Sequence, residues 1–432
     1  MDTVFSLGSG AGRAAIAVIR LSGPAAGTVL VEFTGARGAA RQARFVTLRD
    51  PENGEALDQG LALFFPAPQS PTGEDYAELH IHGGRAVVDA VLQALSRRPG
   101  LRPAEPGEFA RRGFANGKLD LSQAEALADL IDAETEGQRR QALRIAGGAL
   151  RRQVEDWRAA LVDALALVEA ELDFSDEADV GSFDRDGLCR RLAPLCRAMQ
   201  AALAEAPASE RMREGFLVML LGPPNAGKST LLNALARRDL AIVSPTPGTT
   251  RDMIEAHLDL KGLPVTFIDT AGLREAADEI ERIGVDRVLR RVETADLLLW
   301  LSPGGETEPA HIPGGTQVLK IATKGDLFTA PGGWLGISAS TGAGLEELFA
   351  AVAARAEARL GDGGAALFIR ERHRAAVASA LLAVEAAEAR EKDLEFVAED
   401  LRSAARALGR IVGAVDVEHV LDAVFSRFCI GK

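Results

Sequence analysis

Residues 222–229 read Gly-Pro-Pro-Asn-Ala-Gly-Lys-Ser, and this stretch sets the fold class of the region around it. It matches the pattern Gly-x-x-x-x-Gly-Lys-Ser/Thr, after the apolar run Gly215 to Leu221 and before the helical pattern Thr230 to Arg238. The glycines of such a loop let backbone N–H groups surround phosphate oxygens, its lysine neutralises β- and γ-phosphate charge, and its serine can bind Mg²⁺. The predicted contact residues are Asn225, Ala226, Gly227, Lys228, Ser229 and Thr230.

Strand and helix patterns alternate around this loop, from residue 214 to residue 355. Ile254 to Leu260 and Pro264 to Ile268 predict a hairpin across Lys261-Gly262. Further strands are predicted at Ala295 to Leu301, Gln317 to Ala322 and Trp334 to Ser338. This alternation is typical of a doubly wound α/β domain, so we predict a Ras-like P-loop domain here.

Four later motifs indicate which nucleotide this domain binds. Asp269-Thr270-Ala271-Gly272 follows a strand, which places a carboxylate near Mg²⁺ and a glycine amide near the γ-phosphate. Thr249 and Thr250 lie between the two phosphate motifs, where a switch threonine reaches the metal. In Thr323-Lys324-Gly325-Asp326, the aspartate can accept hydrogen bonds from guanine N1 and N2 while Lys324 packs along the base, and Ser338-Ala339 closes the pocket. The order and spacing favour GTP over ATP.

Two positions depart from the usual GTPase pattern. Thr323 stands where Asn is usual, and a hydroxyl offers one donor where the amide offers two donors and an acceptor. We therefore expect guanine selectivity to depend on Asp326, with weaker affinity. Leu273 stands where a water-orienting Gln is usual, so another group must orient the water. Glu281, at the end of an acidic run, is the candidate, and a solvated acidic helix start is the alternative.

Outside the α/β region, the sequence has other patterns of predicted strands and helices. Residues 1–118 are mixed, with strand patterns at Ala15 to Leu21, Arg44 to Leu48, Leu61 to Phe65 and Tyr76 to His82. From Ser122, whose spacing to Glu125 predicts a capping box, the pattern is helical to about Met212 and again from about Ile369. We predict three domains: a mixed α+β N-terminal domain (1–118), a discontinuous α-helical domain (119–213 and 356–432) and the α/β domain inserted in it (214–355).

Composition limits the function classes. The chain of 432 residues has a formal net charge of −13, which argues against a nonspecific nucleic-acid coat. It has 3 cysteines, no Cys-x-x-Cys pair, no secretory signal pattern and no apolar run near the ~18 residues of a membrane span. We therefore expect a cytoplasmic protein with no disulfide framework and no membrane partner.

The ordered motifs resemble the MnmE (TrmE) family of tRNA-modification GTPases over essentially the full length of the chain. The resemblance is carried by Ala17 to Gly23, Glu78 to Gly84, Gly107 to Phe109, Lys118 to Ala126, the Asn225-containing phosphate loop, Asp269 to Arg274 and the terminal Cys429-Ile430-Gly431-Lys432. A phosphate loop alone is generic, whereas this ordered set is highly specific.

The resemblance implies a folate-binding, dimerising N-terminal domain, a discontinuous helical domain and an inserted GTPase. It implies a homodimer that acts with the flavoprotein MnmG (GidA), in a heterotetramer or larger complex, on C5 of the wobble uridine of certain tRNAs. The group added there is of the carboxymethylaminomethyl type. One carbon comes from 5-formyl- or 5,10-methylene-tetrahydrofolate and the amine from glycine or ammonium, with GTP hydrolysis coupled to the modification.

The resemblance also assigns roles around the nucleotide. It implies that Ser229 and Thr250 hold Mg²⁺, that Glu281 positions the water, and that the GTPase domains pair across the dimer in the transition state. It implies a K⁺ ion, which supplies charge that an arginine finger supplies elsewhere. The implied K⁺ residues are Asn225, Ser244, Thr246 and Thr249. Pro245 and Pro247 depart from the common family form and stiffen this loop.

For folate, the positions that match the family are Arg20, Glu78, Lys118 and Lys432. From the residues alone, Arg20 ends an apolar stripe, which indicates a pocket rim or a salt bridge, and the salt bridge is favoured. Glu78, at a strand centre, can accept two pterin N–H bonds.

Other chemistry-bearing residues leave alternatives open. Cys429 is predicted to be a functional-site residue of unknown role, whereas an inert tail thiol is the more common case. Cys189 and Cys196, seven apart on a helix, are predicted to pack in a core. His80 and His82 are predicted to line a pocket or pack rather than bind metal.

Two arginine rows form the candidate tRNA surface, and solvated faces balanced by nearby acids are the alternative. The rows are Arg402, Arg406 and Arg410, and Arg140, Arg144 and Arg151.

Two other functions remain open. A regulatory or ribosome-assembly GTPase with non-catalytic flanking domains explains residues 214–355 equally well. It leaves Lys118, Glu78 and the terminal tetrapeptide unexplained. In a third interpretation the N-terminal region is a dimerisation module without a cofactor.

Overall fold

The computed structural model describes residues 2–10, 12–174, 184–238, 255–269, 294–307, 316–361, 366–390, 393–415, 418–426, 428 and 431. Contacts divide the chain into one unit of residues 1–128 and 409–432 and a second unit of residues 129–408. Within the described residues, no helix combines the length and the apolar character that crossing a bilayer requires.

Twelve strands are described, in two sheets. They are β1 (Thr3–Leu7), β2 (Ile16–Ser22), β3 (Arg44–Arg49), β4 (Ala56–Phe65), β5 (Tyr76–His82), β6 (Leu101–Pro103), β7 (Phe216–Leu221), β8 (Glu255–Leu260), β9 (Leu263–Asp269), β10 (Leu297–Pro303), β11 (Gln317–Thr323) and β12 (Leu335–Gly336).

The helices of the described ranges follow in chain order. They are α1 (Ala26–Thr34), α2 (Arg85–Ser96), α3 (Glu108–Ala115), α4 (Leu121–Asp132), α5 (Glu136–Ala146), α6 (Ala149–Phe174), α7 (Arg185–Glu214), α8 (Lys228–Ala236), α9 (Leu345–Leu360), α10 (Glu371–Ala389), α11 (Leu394–Val412) and α12 (Glu418–Phe425).

The first unit is built on a six-stranded sheet with the order β3-β4-β5-β2-β1-β6. All its pairings are antiparallel except β1 with β6. Leu79 and Ile81 of β5 are buried in the core with Ile19 of β2, while Glu78 and His80 point to the other face. The predicted alternation along Tyr76 to His82 is confirmed, because side chains of a strand alternate between the faces of a sheet.

The second unit contains a six-stranded sheet with the order β12-β11-β10-β7-β9-β8. All its pairings are parallel except the β8–β9 hairpin. Alternate residues of β7 enter two different apolar clusters, with Val218 and Leu220 in one and Met219 in the other. The strand therefore reads as a continuous apolar run, as strands buried on both faces do. The predicted doubly wound α/β fold is confirmed.

The β8–β9 hairpin turns at the predicted position. Lys261 and Gly262 both have positive φ, 60° and 84°, and Leu260 pairs with Leu263 across the turn. Positive φ at both central residues matches the twist of a two-residue hairpin and suits glycine. The hairpin follows residues 239–254 and ends at Asp269, so it joins the two stretches in which the sequence predicts nucleotide contacts.

Three element predictions need correction. β4 begins at Ala56 rather than Leu61, because its polar first half pairs with β3 from Thr47 to Arg49. β12 is confined to Leu335–Gly336, because it pairs only with two residues of β11. The capping box of α4 lies at Asp120 and Gln123 rather than Ser122 and Glu125. Asp120 Oδ1 accepts from Gln123 N–H (2.9 Å), and Gln123 Oε1 accepts from Asp120 N–H (3.0 Å).

Candidate functional site

The phosphate loop connects the end of β7 to the start of α8. Gly222, Asn225 and Gly227 all have positive φ, at 147°, 60° and 90°. A Cβ atom at Gly222 would lie 2.1 Å from the carbonyl oxygen of Leu301 in β10, so glycine is required there. This backbone path turns the loop back over the N-terminus of α8, where free N–H groups and the helix dipole attract phosphate.

Three side chains of this region have the chemistry that a Mg²⁺–nucleotide needs. Lys228 Nζ donates to the carbonyl oxygens of Gly222 and Pro223, both at 3.0 Å, which holds its charge inside the loop. Ser229 Oγ donates to Asp269 Oδ2 at 2.6 Å, and Asp269 is buried at the end of β9. A hydroxyl and a carboxylate so close together can act as Mg²⁺ ligands, since Mg²⁺ prefers oxygen.

Thr323 lies beside the phosphate loop. Its Oγ1 donates to the carbonyl oxygen of Ala226 at 2.8 Å, and both residues are buried. The single proton of the hydroxyl is therefore used to hold the phosphate loop against the end of β11. The sequence shows the substitution at this position, but it cannot show which acceptor the hydroxyl meets.

The base-side loop follows β11 and is fixed to the strand region at β12. Lys324 has a positive φ of 58°, and Gly325 N–H donates to the Ile337 carbonyl at 2.8 Å. Ser338 Oγ, which is buried, donates to Asp326 Oδ1 at 2.7 Å. This hydrogen bond lowers the pKa of Asp326 below its usual value, so the carboxylate that the motif assigns to guanine stays ionised.

The predicted nucleotide residues therefore divide into two groups. The structure brings together the phosphate loop from Asn225 to Ser229 with Asp269 and Thr323, and it joins Asp326 to Ser338, beside Ala339. Thr230 is exposed in the first turn of α8. The others lie outside the described residues: Ser244, Thr246, Thr249, Thr250, Thr270, Ala271, Gly272 and Glu281.

The candidate folate residues of the first unit meet across neighbouring strands. Arg20 of β2 is directly opposite Glu78 of β5, and Arg20 Nε lies 3.6 Å from Glu78 Oε1. This is the ion pair that the sequence favours. The distance is too long for a hydrogen bond between the two atoms. Arg20 Nε is buried and has no acceptor within hydrogen-bond distance among the residues that the structure describes. The buried Nε therefore depends on the neighbouring Glu78 carboxylate to balance its charge.

Two further side chains, which the sequence motifs do not connect to Glu78, are hydrogen-bonded to it. Tyr76 Oη donates to Glu78 Oε1 at 3.3 Å, and His80 Nε2 lies 3.0 Å from Glu78 Oε2. Burial raises the pKa of the Tyr76 hydroxyl, so it remains a neutral donor. Tyr76, Glu78 and His80 are alternate residues of β5, so their side chains lie on one face of the sheet. This alternation is the sequence feature from which the cluster could have been predicted.

The chain end reaches this cluster through its backbone. Arg20 Nη1 donates to the carbonyl oxygen of Gly431 at 3.2 Å. A Cβ atom at Gly431 would lie 2.2 Å from the Leu7 carbonyl oxygen, so only glycine fits this approach. Cys429 and Lys432 lie outside the described residues. Lys118 is exposed, after α3, and no described contact joins it to Arg20 or Glu78.

The two arginine rows have acidic neighbours. Arg402 pairs with Glu169 and Glu399, Arg406 pairs with Glu399 at 2.5 Å, and Arg140 pairs with Glu136. Arg151 pairs with Glu155 at 2.7 Å. Their charge is therefore partly balanced, as the alternative interpretation expects.

Cys196 has the environment of a packing residue, as the sequence predicts. Cys196 is buried in α7, and burial together with Glu388 raises the pKa of its thiol to about 11. The thiol is thus held in its unreactive protonated form at neutral pH.

A phosphate loop at the end of a central parallel strand, a serine–aspartate pair beside it and an aspartate in the base-side loop define a P-loop GTPase. The family model described as GTP-binding protein TrmE N-terminus matches residues 3–118, and the MnmE helical domain model matches residues 121–429. The chain belongs to the MnmE (TrmE) family of tRNA modification GTPases.

Full-length relatives agree with this assignment. The tRNA modification GTPase MnmE of Methylobacterium radiotolerans is 53% identical over 438 residues, which cover 100% of this chain and 99% of the relative. The MnmE of Methylobacterium sp. (strain 4-46) is 55% identical over 443 residues and is covered completely, as this chain is. That of Beijerinckia indica is 51% identical over 439 residues, 100% of this chain and 96% of the relative. The chain is thus a GTP-hydrolysing enzyme that acts in tRNA modification.

Proposed function

We propose that this GTPase, together with the flavoprotein MnmG (GidA), adds a carboxymethylaminomethyl-type group to C5 of the wobble uridine of certain tRNAs. The observation that carries the proposal is the Arg20–Glu78 cluster. The cluster places a guanidinium, a carboxylate, a tyrosine hydroxyl and an imidazole on one strand face, and this supports a ligand site, which purely regulatory flanking domains do not require. Membership in a tRNA modification family supports the proposal as well.

The proposed nucleotide chemistry uses GTP with Mg²⁺ and K⁺. Ser229 and Thr250 hold Mg²⁺, Lys228 neutralises the phosphates, and Glu281 orients the attacking water. Support comes from the Ser229–Asp269 pair, which presents oxygen ligands at the phosphate loop. K⁺ supplies positive charge in the transition state. Its proposed ligands are Asn225, Ser244, Thr246 and Thr249; Asn225 is exposed at the tip of the phosphate loop.

The proposed one-carbon donor is 5-formyl- or 5,10-methylene-tetrahydrofolate, held by Arg20, Glu78, Lys118 and Lys432. Two carboxylate oxygens on Glu78 match adjacent pterin N–H donors, and the Arg20 side chain beside them, 31% exposed, adds a positive charge to the same strand face. Cys429 stays a predicted functional residue near the same chain end.

The proposed partners are a second copy of the chain, MnmG and tRNA. The outer face of the first sheet supports a protein partner, because Phe45 is 70% exposed and Leu61, its cross-strand neighbour, is 38% exposed. Because glutamates partly neutralise the arginine rows, we propose that tRNA contacts this chain over a small area only, or that MnmG provides part of the tRNA-binding surface.

Nucleoside analysis of tRNA tests this proposal. A strain that lacks its own enzyme is complemented with the wild-type chain, Glu78→Ala or Asp326→Ala, and its total tRNA is digested. We expect the wild type to restore the modified wobble uridine and both variants to leave it unmodified. Restoration by Glu78→Ala would contradict the folate-dependent function. In that case, a ribosomal assembly defect in the same strain would favour the regulatory GTPase.

A further inference from the structure

The Arg20 side chain lies against the backbone of two glycines. A Cβ atom at Gly8 would be 2.7 Å from both Cδ and Nε of Arg20 and 3.1 Å from Cζ. The carbonyl oxygen of Gly431 accepts from Arg20 Nη1 at 3.2 Å. On the paired strand β5, Glu78 Oε1 lies 3.6 Å from Arg20 Nε. Because position 8 has no side chain, it leaves the space that the Arg20 guanidinium occupies beside Glu78.

Gly8 is held close to β2 by hydrogen bonds. Gly8 N–H donates to the Val18 carbonyl oxygen at 2.7 Å, and the Oγ of the next residue, Ser9, accepts from Val18 N–H at 3.2 Å. Val18 is two positions before Arg20 in the same strand, so the two side chains lie on one face of the sheet. A methyl group at position 8 would therefore displace the Arg20 side chain rather than the hydrogen-bonded backbone, because added volume forces side chains out of their preferred positions.

The second glycine is fixed by the end of β1. Gly431 has a φ of 101°, and a Cβ atom there would be 2.2 Å from the Leu7 carbonyl oxygen and 3.0 Å from Ser6 Oγ. Leu7 directly precedes Gly8 in the chain. Residues 6–8 therefore determine both where the Gly8 backbone meets Arg20 and where the Gly431 carbonyl oxygen receives the Arg20 hydrogen bond.

We propose that Gly8 is a positioning residue for the folate site, and that it acts by fixing the Arg20 guanidinium relative to Glu78. This role rests on the proposed function, in which both side chains face the same ligand. Charge-assisted hydrogen bonds depend on distance and direction, so a guanidinium that a methyl group displaces no longer matches the carboxylate and the ligand. Alanine at position 8 thus weakens folate binding although no charged group is removed.

Titration of labelled 5-formyl-tetrahydrofolate into full-length variants tests this role. Gly8→Ala is compared with Gly10→Ala, a control in the same loop, where a Cβ atom would meet nothing within 4 Å. Neither glycine has a positive φ, so both backbones accept alanine. We expect Gly8→Ala to weaken folate binding about tenfold and Gly10→Ala to stay within about twofold of wild type. GDP affinity should be unchanged in both variants, with folding checked by thermal unfolding.

The Arg20→Ala variant separates positioning from a general effect on the loop. If Gly8 acts through Arg20, adding Gly8→Ala to Arg20→Ala should weaken binding by no more than about twofold, because residues that act together are not additive. A further loss of about tenfold in the double variant, wild-type affinity of folded Gly8→Ala, or an equal loss in Gly10→Ala would overturn the proposal. Where Arg20→Ala alone abolishes binding, the comparison of Gly8→Ala with Gly10→Ala decides.

The Glu78→Ala variant distinguishes failure of this role from failure of the proposed function. Normal folate binding by Glu78→Ala would mean that the Arg20–Glu78 cluster is not the folate site, whatever the result for Gly8→Ala. Loss of folate binding in Glu78→Ala, together with wild-type affinity in Gly8→Ala, would leave the folate site in place and remove the role of Gly8 alone.

Discussion

The nucleotide site is built mainly from backbone, whereas the candidate folate site is built from side chains on a strand face. At the first, positive φ at Gly222 and Gly227 turns N–H groups toward phosphate. At the second, Arg20 and Glu78 meet across β2 and β5 on a sheet whose other face forms the core. A backbone site demands glycines at fixed spacing, so it leaves a pattern in the sequence. A side-chain site on a strand looks like any polar face.

The largest effect is expected for Lys228→Ala. Lys228 Nζ donates to the Gly222 and Pro223 carbonyl oxygens inside the loop. Among the described residues, no other positively charged side chain donates to these two oxygens. Steady-state GTP hydrolysis should fall by roughly a hundredfold or more. Binding of 5-formyl-tetrahydrofolate serves as the control and should be unchanged. A rate within about tenfold of wild type would contradict the phosphate-loop role.

Asp326→Asn should change base selectivity. An amide at this position donates where the carboxylate accepts, so it disfavours guanine and favours xanthine. In competition experiments with GDP and XDP, we expect the preference to shift by roughly a hundredfold. Glu357→Gln, an exposed change in α9, is the control. Unchanged selectivity would show that another residue recognises the base.

Thr323→Val should have a smaller effect on nucleotide affinity. Valine keeps the shape but loses the hydrogen bond to the Ala226 carbonyl, which leaves a buried acceptor without its donor. A cost of about 1 kcal/mol corresponds to roughly a fivefold weaker GDP affinity. Thr323→Ser keeps the hydroxyl and should bind like wild type. Equal affinity for Val and Ser variants, measured by calorimetry, would disprove the proposed tether.

The smallest effect concerns pH. The hydrogen bond from Ser338 lowers the pKa of Asp326. The ionised carboxylate therefore binds guanine at any pH above this lowered pKa, and binding weakens only as the pH falls through it. Ser338→Ala should return the pKa toward the model-compound value of 3.8. GDP affinity of the variant should therefore begin to fall at a higher pH than in wild type. Identical pH profiles would show that the Ser338 hydroxyl does not act on Asp326.

The contrast between the sites explains what the sequence could predict. The phosphate loop, the hairpin at Lys261-Gly262 and the apolar run of β7 follow from local rules of backbone conformation and burial. The acceptor of the Thr323 hydroxyl and the meeting of Arg20 with Gly431, 411 positions apart, depend on tertiary packing. The capping box was predicted at Ser122 but lies at Asp120. Both residues have a suitable partner three positions later, and the sequence does not show at which of them the helix begins.

Two titrations of the same full-length preparations test the central claim that one chain carries two differently built binding sites. Labelled 5-formyl-tetrahydrofolate and GDP are titrated into wild type, Glu78→Ala and Asp326→Ala, with folding checked by thermal unfolding. We predict that Glu78→Ala loses folate affinity at least about tenfold and binds GDP normally, and that Asp326→Ala does the reverse. Normal folate binding by Glu78→Ala, or loss of both ligands in either folded variant, would contradict the account.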